Sequence, residues 1–109
     1  MIKVSIFRNR DGNYNGFEVC GHAGYAEHGQ DIICAAVSIL TINTINSLEE
    51  FTDCKFDLKE NEKKGLISFK MKSEPNSNTE LLLKSLVLGL TGISKEYNGE
   101  YIQIIFKEV

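Results

Sequence analysis

Between Asp31 and Phe51 the chain contains neither glycine nor proline, and its apolar residues recur at the three- and four-residue spacing of a helix. Asp31 is suited to cap that helix, which then starts at Ile32 and runs to about residue 51. Ile33, Val37, Leu40, Leu48 and Phe51 form a core stripe. Ile32, Ile39, Ile42 and Ile45 widen it beyond the usual amphipathic face. A helix this apolar calls for cover on more than one side, and a second subunit is one source of it.

The flanking segments have a different period. Ile2, Val4 and Ile6 alternate with Lys3 and Ser5, and Phe17 and Val19 alternate with Glu18 and Cys20. These are two half-buried strands. Residues 8–16 between them read as a hairpin loop, with Asp11-Gly12 and Asn15-Gly16 as turn pairs. Phe56 and Leu58 mark a third strand, residues 61–65 a polar turn, and Ile67, Phe69 and Met71 a fourth strand. Residues 73–78 form a linker around Pro75. A second helix follows over about 79–97, with Leu82, Leu86, Leu90 and Ile93 on one face and Asn78 or Thr79 as its cap. Gly89 and Gly92 weaken it, for close packing or for an early end. A last strand spans residues 101–106 after an Asn98-Gly99 turn. The order ββαββαβ predicts an α+β domain over residues 1–109, a mostly antiparallel five-stranded sheet with two helices on one face. Ile104, Ile105 and Phe106 are consecutive, which a homodimer would explain.

Bulk properties narrow the function. A chain of 109 residues with 42% hydrophobic and 25% charged residues suits one globular domain. A formal charge of −3 without a basic stripe argues against direct nucleic-acid binding. No apolar run is expected to reach membrane-spanning length, and residues 1–4 enter a strand pattern without the features of a signal peptide. Three cysteines, an odd number, do not make a disulfide framework, so a cytoplasmic, reducing location is expected.

The chemistry concentrates in residues 21–38, GHAGYAEHGQDIICAAVS. His22 follows a strand end, and Gly21, Gly24 and Gly29 break the loop that leads to the helix. Cys34 falls in the first helical turn, where the partial positive charge of the helix end is expected to lower a thiol pKa. Cys34 is thus a candidate nucleophile and His22 its candidate base, although a cysteine on an apolar helix is also an ordinary small buried hydrophobe. Attack of the thiolate on a carbonyl, proton donation to the leaving amine and deacylation by water would complete a hydrolysis. Amides at the helix start, that of Cys34 included, and at residues 29–30 could hold the oxyanion.

Asp31 either caps the helix or also orients His22. Ser38, one turn after Cys34, either serves the site or bonds back to the Cys34 carbonyl. Tyr25 reads as a loop anchor, and His28 as a surface residue or a rival base. Cys20, His22, His28 and Cys34 could bind zinc, though their spacing is poor for it. A redox-sensitive interaction module would also use Cys34. Cys20 and Cys54 otherwise read as spectators.

Gly21-His22-Ala23 and the run from Gly29 through Asp31, Cys34 and Val37 to Ser38 closely resemble the signature of the ribosomal-processing cysteine protease family Prp. The resemblance implies a bacterial, cytoplasmic, homodimeric endopeptidase that needs no cofactor or metal. It further implies a substrate: the N-terminal extension of the twenty-seventh protein of the large ribosomal subunit, cut after paired phenylalanines and before a small residue. His22 would be the base and Cys34 the nucleophile. Asp31 and Ser38 would support them, and the glycine-rich loop would be mobile until substrate assembles the pair.

Overall fold

A computed structural model describes residues 1–27 and 30–109. The elements follow the expected order: β1 (Ile2–Arg8), β2 (Tyr14–Cys20), α1 (Ile32–Phe51), β3 (Phe56–Asn61), β4 (Leu66–Met71), α2 (Ser77–Glu96) and β5 (Ile102–Glu108). The strands form one sheet in the order β3-β4-β2-β1-β5. Three of its pairings are antiparallel, and β5 lies parallel to β1. The parallel pair follows from the connection: α2 carries the chain across the sheet before β5 joins the far edge.

Register explains the core. Val4 stands opposite Val19, Ile6 opposite Phe17, Phe17 opposite Phe69, and Ile2 and Val4 beside Ile102 and Ile104. One face of the sheet is therefore continuously apolar, with the Phe17 and Phe69 rings stacked 5.2 Å apart. Against it pack Ile33, Val37, Ile45 and Leu48 of α1 and Leu83, Leu86 and Leu90 of α2. The opposite face carries Lys3, Ser5, Glu18, Ser68, Lys70 and Gln103. Of the three consecutive apolar residues in β5, Ile105 alone takes this outer face. Ile104 joins the core edge, whereas Ile105 and Phe106 remain exposed, the Phe106 ring with the Arg8 guanidinium 4.4 Å from its centre.

Several local expectations change. Asn15-Gly16 is not a turn but part of β2, and the turn proper is residues 9–13, where the Gly12 amide donates to the Asn9 carbonyl. Phe51 is not core: it ends α1 and is 72% exposed. Ile32, Ile39 and Ile42 are exposed too, whereas Ile45 is buried. The second helix starts earlier than expected because Asn76, not Asn78 or Thr79, is the cap. Its side chain accepts from the Asn78 and Thr79 amides, and the Thr79 hydroxyl accepts from the Asn76 amide, a reciprocal capping box. Gly89 does not end that helix. A side chain there would meet Leu40 of α1 at 2.9 Å, so it serves close helix packing. Against expectation, α1 is long and apolar enough to cross a membrane, yet here one of its faces lies buried against the sheet.

The two faces of α2 make this packing testable. Leu90 is fully buried and Leu88 is 75% exposed. Leu90→Ala should destabilise the fold by about 2–5 kcal/mol, and Leu88→Ala should stay within about 0.5 kcal/mol of the parent, as read by chemical denaturation.

Candidate active site

The end of β2, the start of α1 and the β3–β4 turn enclose a cleft of about 930 Å³. His22, Asp31, Cys34 and Ser38 line it, as do Gly21 and Gly24 of the loop. Its apolar walls are Val19, Val37, Leu66 and Ile67, and Glu60, Glu62 and Lys63 lie along its rim. The structure thus brings the expected dyad residues to one cavity. Gly29 and His28 lie outside the described residues, and with them the rival base and part of the expected mobile loop.

Asp31 is the hub. It is 6% exposed, and one carboxylate oxygen accepts from the Ile33 and Cys34 amides, each at 3.0 Å. The other accepts from Tyr25 at 3.0 Å and Ala26 at 3.4 Å. The cap is therefore also a clamp on the loop. Burial alone would raise this carboxyl's pKa, but the four amides outweigh burial and hold it below the ordinary carboxylate value.

Cys34 is half-buried one turn further on, and the Ala23 amide donates to its sulfur at 3.2 Å. The expectation of a lowered thiol pKa is not met in this state. Desolvation raises it, the Ala23 amide and the Met1 ammonium pull it down, and the Asp31 carboxylate raises it again, with a net rise. The same carboxylate that caps the helix offsets the charge at its N-terminus. The Cys34 amide, expected as an oxyanion donor, is committed to Asp31, and the Gln30 amide to the Glu27 carbonyl at 2.9 Å. Ala23, which sequence reasoning passed over, supplies the amide aimed at the Cys34 sulfur.

His22 Nε2 stands 3.2 Å from the Lys63 carbonyl oxygen, which accepts from it in the tautomer that carries the proton on Nε2. Met1 donates its amino group to the His22 carbonyl at 2.8 Å. Tyr25 is a loop anchor as expected, edge-on to Tyr97 at 5.7 Å and Tyr101 at 5.3 Å. The Ser38 hydroxyl is exposed on the cleft and makes no hydrogen bond to a described residue, so of its two readings the back-bond to the Cys34 carbonyl is not formed. Among the described residues no three His, Cys, Asp or Glu side chains cluster as metal ligands. Cys20 is exposed, and Cys54 is buried in the core.

Asp31→Asn keeps the acceptor oxygen but removes the charge. The Cys34 thiol pKa should fall toward its ordinary value, with burial retaining part of the shift; the pH dependence of iodoacetamide alkylation at Cys34 checks this. The Asp31 carboxylate also stabilises the fold through its lowered pKa. That contribution is complete above the ordinary carboxylate value and is lost as pH falls through the lowered one. Melting temperature should therefore drop in acid more steeply for the parent than for Asp31→Asn.

The sequence model described as "Cysteine protease Prp" matches residues 1–103. The ribosomal processing cysteine protease Prp of Bacillus subtilis (strain 168) is 30% identical over 101 residues, covering 89% of this chain and 90% of the relative. Two crystal structures of an essential ribosomal processing protease Prp from S. aureus superimpose closely, each covering 98% of this chain and 100% of the other. The one with a covalently linked product peptide has a TM-score of 0.91 at 29% identity. The one with a substrate peptide has a TM-score of 0.86 at 28% identity. With both helices and four of the five strands wholly inside the family match, the chain belongs to the ribosomal-processing cysteine protease family Prp.

Proposed function

We propose that this cysteine protease removes the N-terminal extension of the twenty-seventh protein of the large ribosomal subunit, with Cys34 as nucleophile and His22 as base. The observation that carries the reading is that both side chains line one largely apolar cleft, with the Ala23 amide already on the sulfur. The relatives solved with a substrate peptide and with a covalently linked product peptide support a peptide occupant.

The raised thiol pKa sets the order of events. Cys34 is a thiol at rest, so its proton passes to His22 as the sulfur attacks the scissile carbonyl carbon. The Ala23 amide lies beside the sulfur to meet the negative charge that develops. On collapse the carbon–nitrogen bond breaks and the His22 proton leaves with the amine. Water, deprotonated by His22, then releases the acyl group and restores the thiol. Asp31 holds loop and helix in register around this exchange, and Ser38 faces the substrate space. Val19, Val37, Leu66 and Ile67 provide the apolar wall that paired phenylalanines require.

The setting belongs to the same proposal. Three free cysteines suit a reducing cytoplasm, and the net charge of −3 suits a basic protein substrate better than direct contact with nucleic acid. A homodimer would cover exposed Ile39 of α1 and Leu88 of α2.

Incubation with the extended ribosomal protein should give a single cut within the extension, read by mass spectrometry. Cys34→Ala should abolish it, and His22→Ala should slow it by about 10²–10⁴-fold. A Cys34→Ala protein that still cuts would remove the nucleophile assignment.

A further inference from the structure

We infer that Tyr97 and Tyr101 are positioning residues for Cys34: their rings form a socket for Tyr25, and the seated Tyr25 keeps the Ala23 amide on the sulfur. The effect on turnover rests on the proposed reading of Cys34 as nucleophile, whereas the effect on the Ala23 amide does not.

The loop has two sides. Gly24 and Ala26 line the cleft, while Tyr25 between them turns its ring to the two tyrosines. That ring stands 5.7 Å from Tyr97 and 5.3 Å from Tyr101, and the two partners are 5.8 Å apart. The interplanar angles are 70°, 80° and 79°, so each pair sets the positive edge of one ring against the negative face of another.

The socket is built by the end of α2 and the start of β5, without help from the loop. Asn98 and Gly99 have φ +56° and +72°, and the Glu100 amide closes their turn on the Tyr97 carbonyl at 3.1 Å. Two left-handed residues in succession make a tight reversal that asparagine and glycine tolerate best, and it brings residues 97 and 101 side by side. The Gly99 amide donates to the Ser94 carbonyl and the Ile2 amide to the Tyr101 carbonyl, each at 2.8 Å. Both tyrosines pack against the core, so the socket belongs to the rigid body of the domain.

The loop needs such a seat. Gly24 has φ +74°, and a Cβ added there would meet nothing within 4 Å, so the backbone between Ala23 and Tyr25 is a pivot with no packing of its own. On one side of it the buried Ala23 holds its amide 3.2 Å from the Cys34 sulfur. On the other, Tyr25 donates its amide to Asp31 at 3.0 Å and places its ring in the socket. The hydrogen bond fixes a point, and the ring fixes a direction. With Tyr25 unseated, rotation at Gly24 draws the Ala23 amide off the sulfur and loosens the wall that residues 24 and 26 give the cleft.

Hydrogen exchange at the Ala23 amide, followed by NMR, tests this directly. In the wild-type protein that amide should exchange about tenfold or more slower than an unbonded one, and nuclear Overhauser contacts should join the Tyr25 ring to those of Tyr97 and Tyr101. An unprotected Ala23 amide or absent ring contacts would overturn the inference, and no variant has to fold for that result to count. Tyr25→Ala should speed the exchange by about tenfold and Tyr97→Ala by about three- to tenfold. Both should lower kcat on the extended ribosomal protein by more than they raise KM. Tyr97→Phe and Tyr101→Phe keep the rings and should keep the exchange rate and kcat; a loss in either shows that ring contact is not the cause. The Tyr25→Ala/Tyr97→Ala double variant should do no more than Tyr25→Ala alone, because Tyr97 acts through Tyr25. Additive losses would reduce Tyr97 to general support of the fold and overturn the inference. If Cys34→Ala still cuts, the nucleophile reading falls, while exchange at Ala23 decides the socket separately.

Discussion

The Asp31 carboxylate and its four amides hold together everything that surrounds the thiol. A buried carboxylate without partners would strongly favour protonation or unfolding. This one is kept charged by donors from two segments that would otherwise diverge, the start of α1 and residues 25–26. Ala23 is thereby held near enough for its amide to reach the sulfur. Cap, loop and the Cys34 thiol share one anion, so a change at Asp31 is felt in helix stability, loop position and thiol chemistry together.

That economy has an electrostatic consequence. A helix N-terminus alone would favour a thiolate, but the capping anion beside Cys34 cancels the benefit, and burial adds to the penalty. A reactive anion is not stored at rest. In the proposed mechanism, chemistry then depends on a partner that takes the proton during attack, which makes the geometry of His22 the controlling variable.

The order of elements and the span of α1 were legible because they rest on local pattern: alternation at Ile2, Val4 and Ile6, helical spacing after Asp31, and the caps and turns between. The family was legible through the signature in residues 21–38, whose His22 and Cys34 the fold brings to one cleft. What escaped depends on partners distant in sequence. Gly16 looks like a turn glycine until β4 is placed beside it, where a side chain would strike the Phe69 carbonyl at 2.6 Å. Phe51 fits the helical stripe, but α1 outruns the sheet beneath it. The raised thiol pKa could not be read from helix position alone, because its first cause is burial. The contacts of Tyr25 with Tyr97 and Tyr101, and of Lys63 with His22, join segments more than forty residues apart and leave no local trace.

In the loop over the cleft, residues 25–26 are tied to the fold through Asp31 and the Tyr25 ring. Magnitudes decide whether substrate could still move them. Hydrogen bonds to a charged acceptor contribute about 1.5–3 kcal/mol each, and an edge-on aromatic contact about 0.5–1.5 kcal/mol. Releasing Tyr25 and Ala26 together with the ring contacts thus costs roughly 4–9 kcal/mol. Burying two phenylalanine side chains returns about 3–6 kcal/mol. The terms are of similar size, so one aromatic residue is not enough to open the clamp, whereas a pair comes close and backbone contacts can supply the rest. For the proposed substrate, the paired phenylalanines then do more than fill a pocket. If that substrate displaces the loop, both side chains would be needed to offset most of the cost, and selectivity would then lie in the strength of the Asp31 clamp as much as in the shape of the cleft.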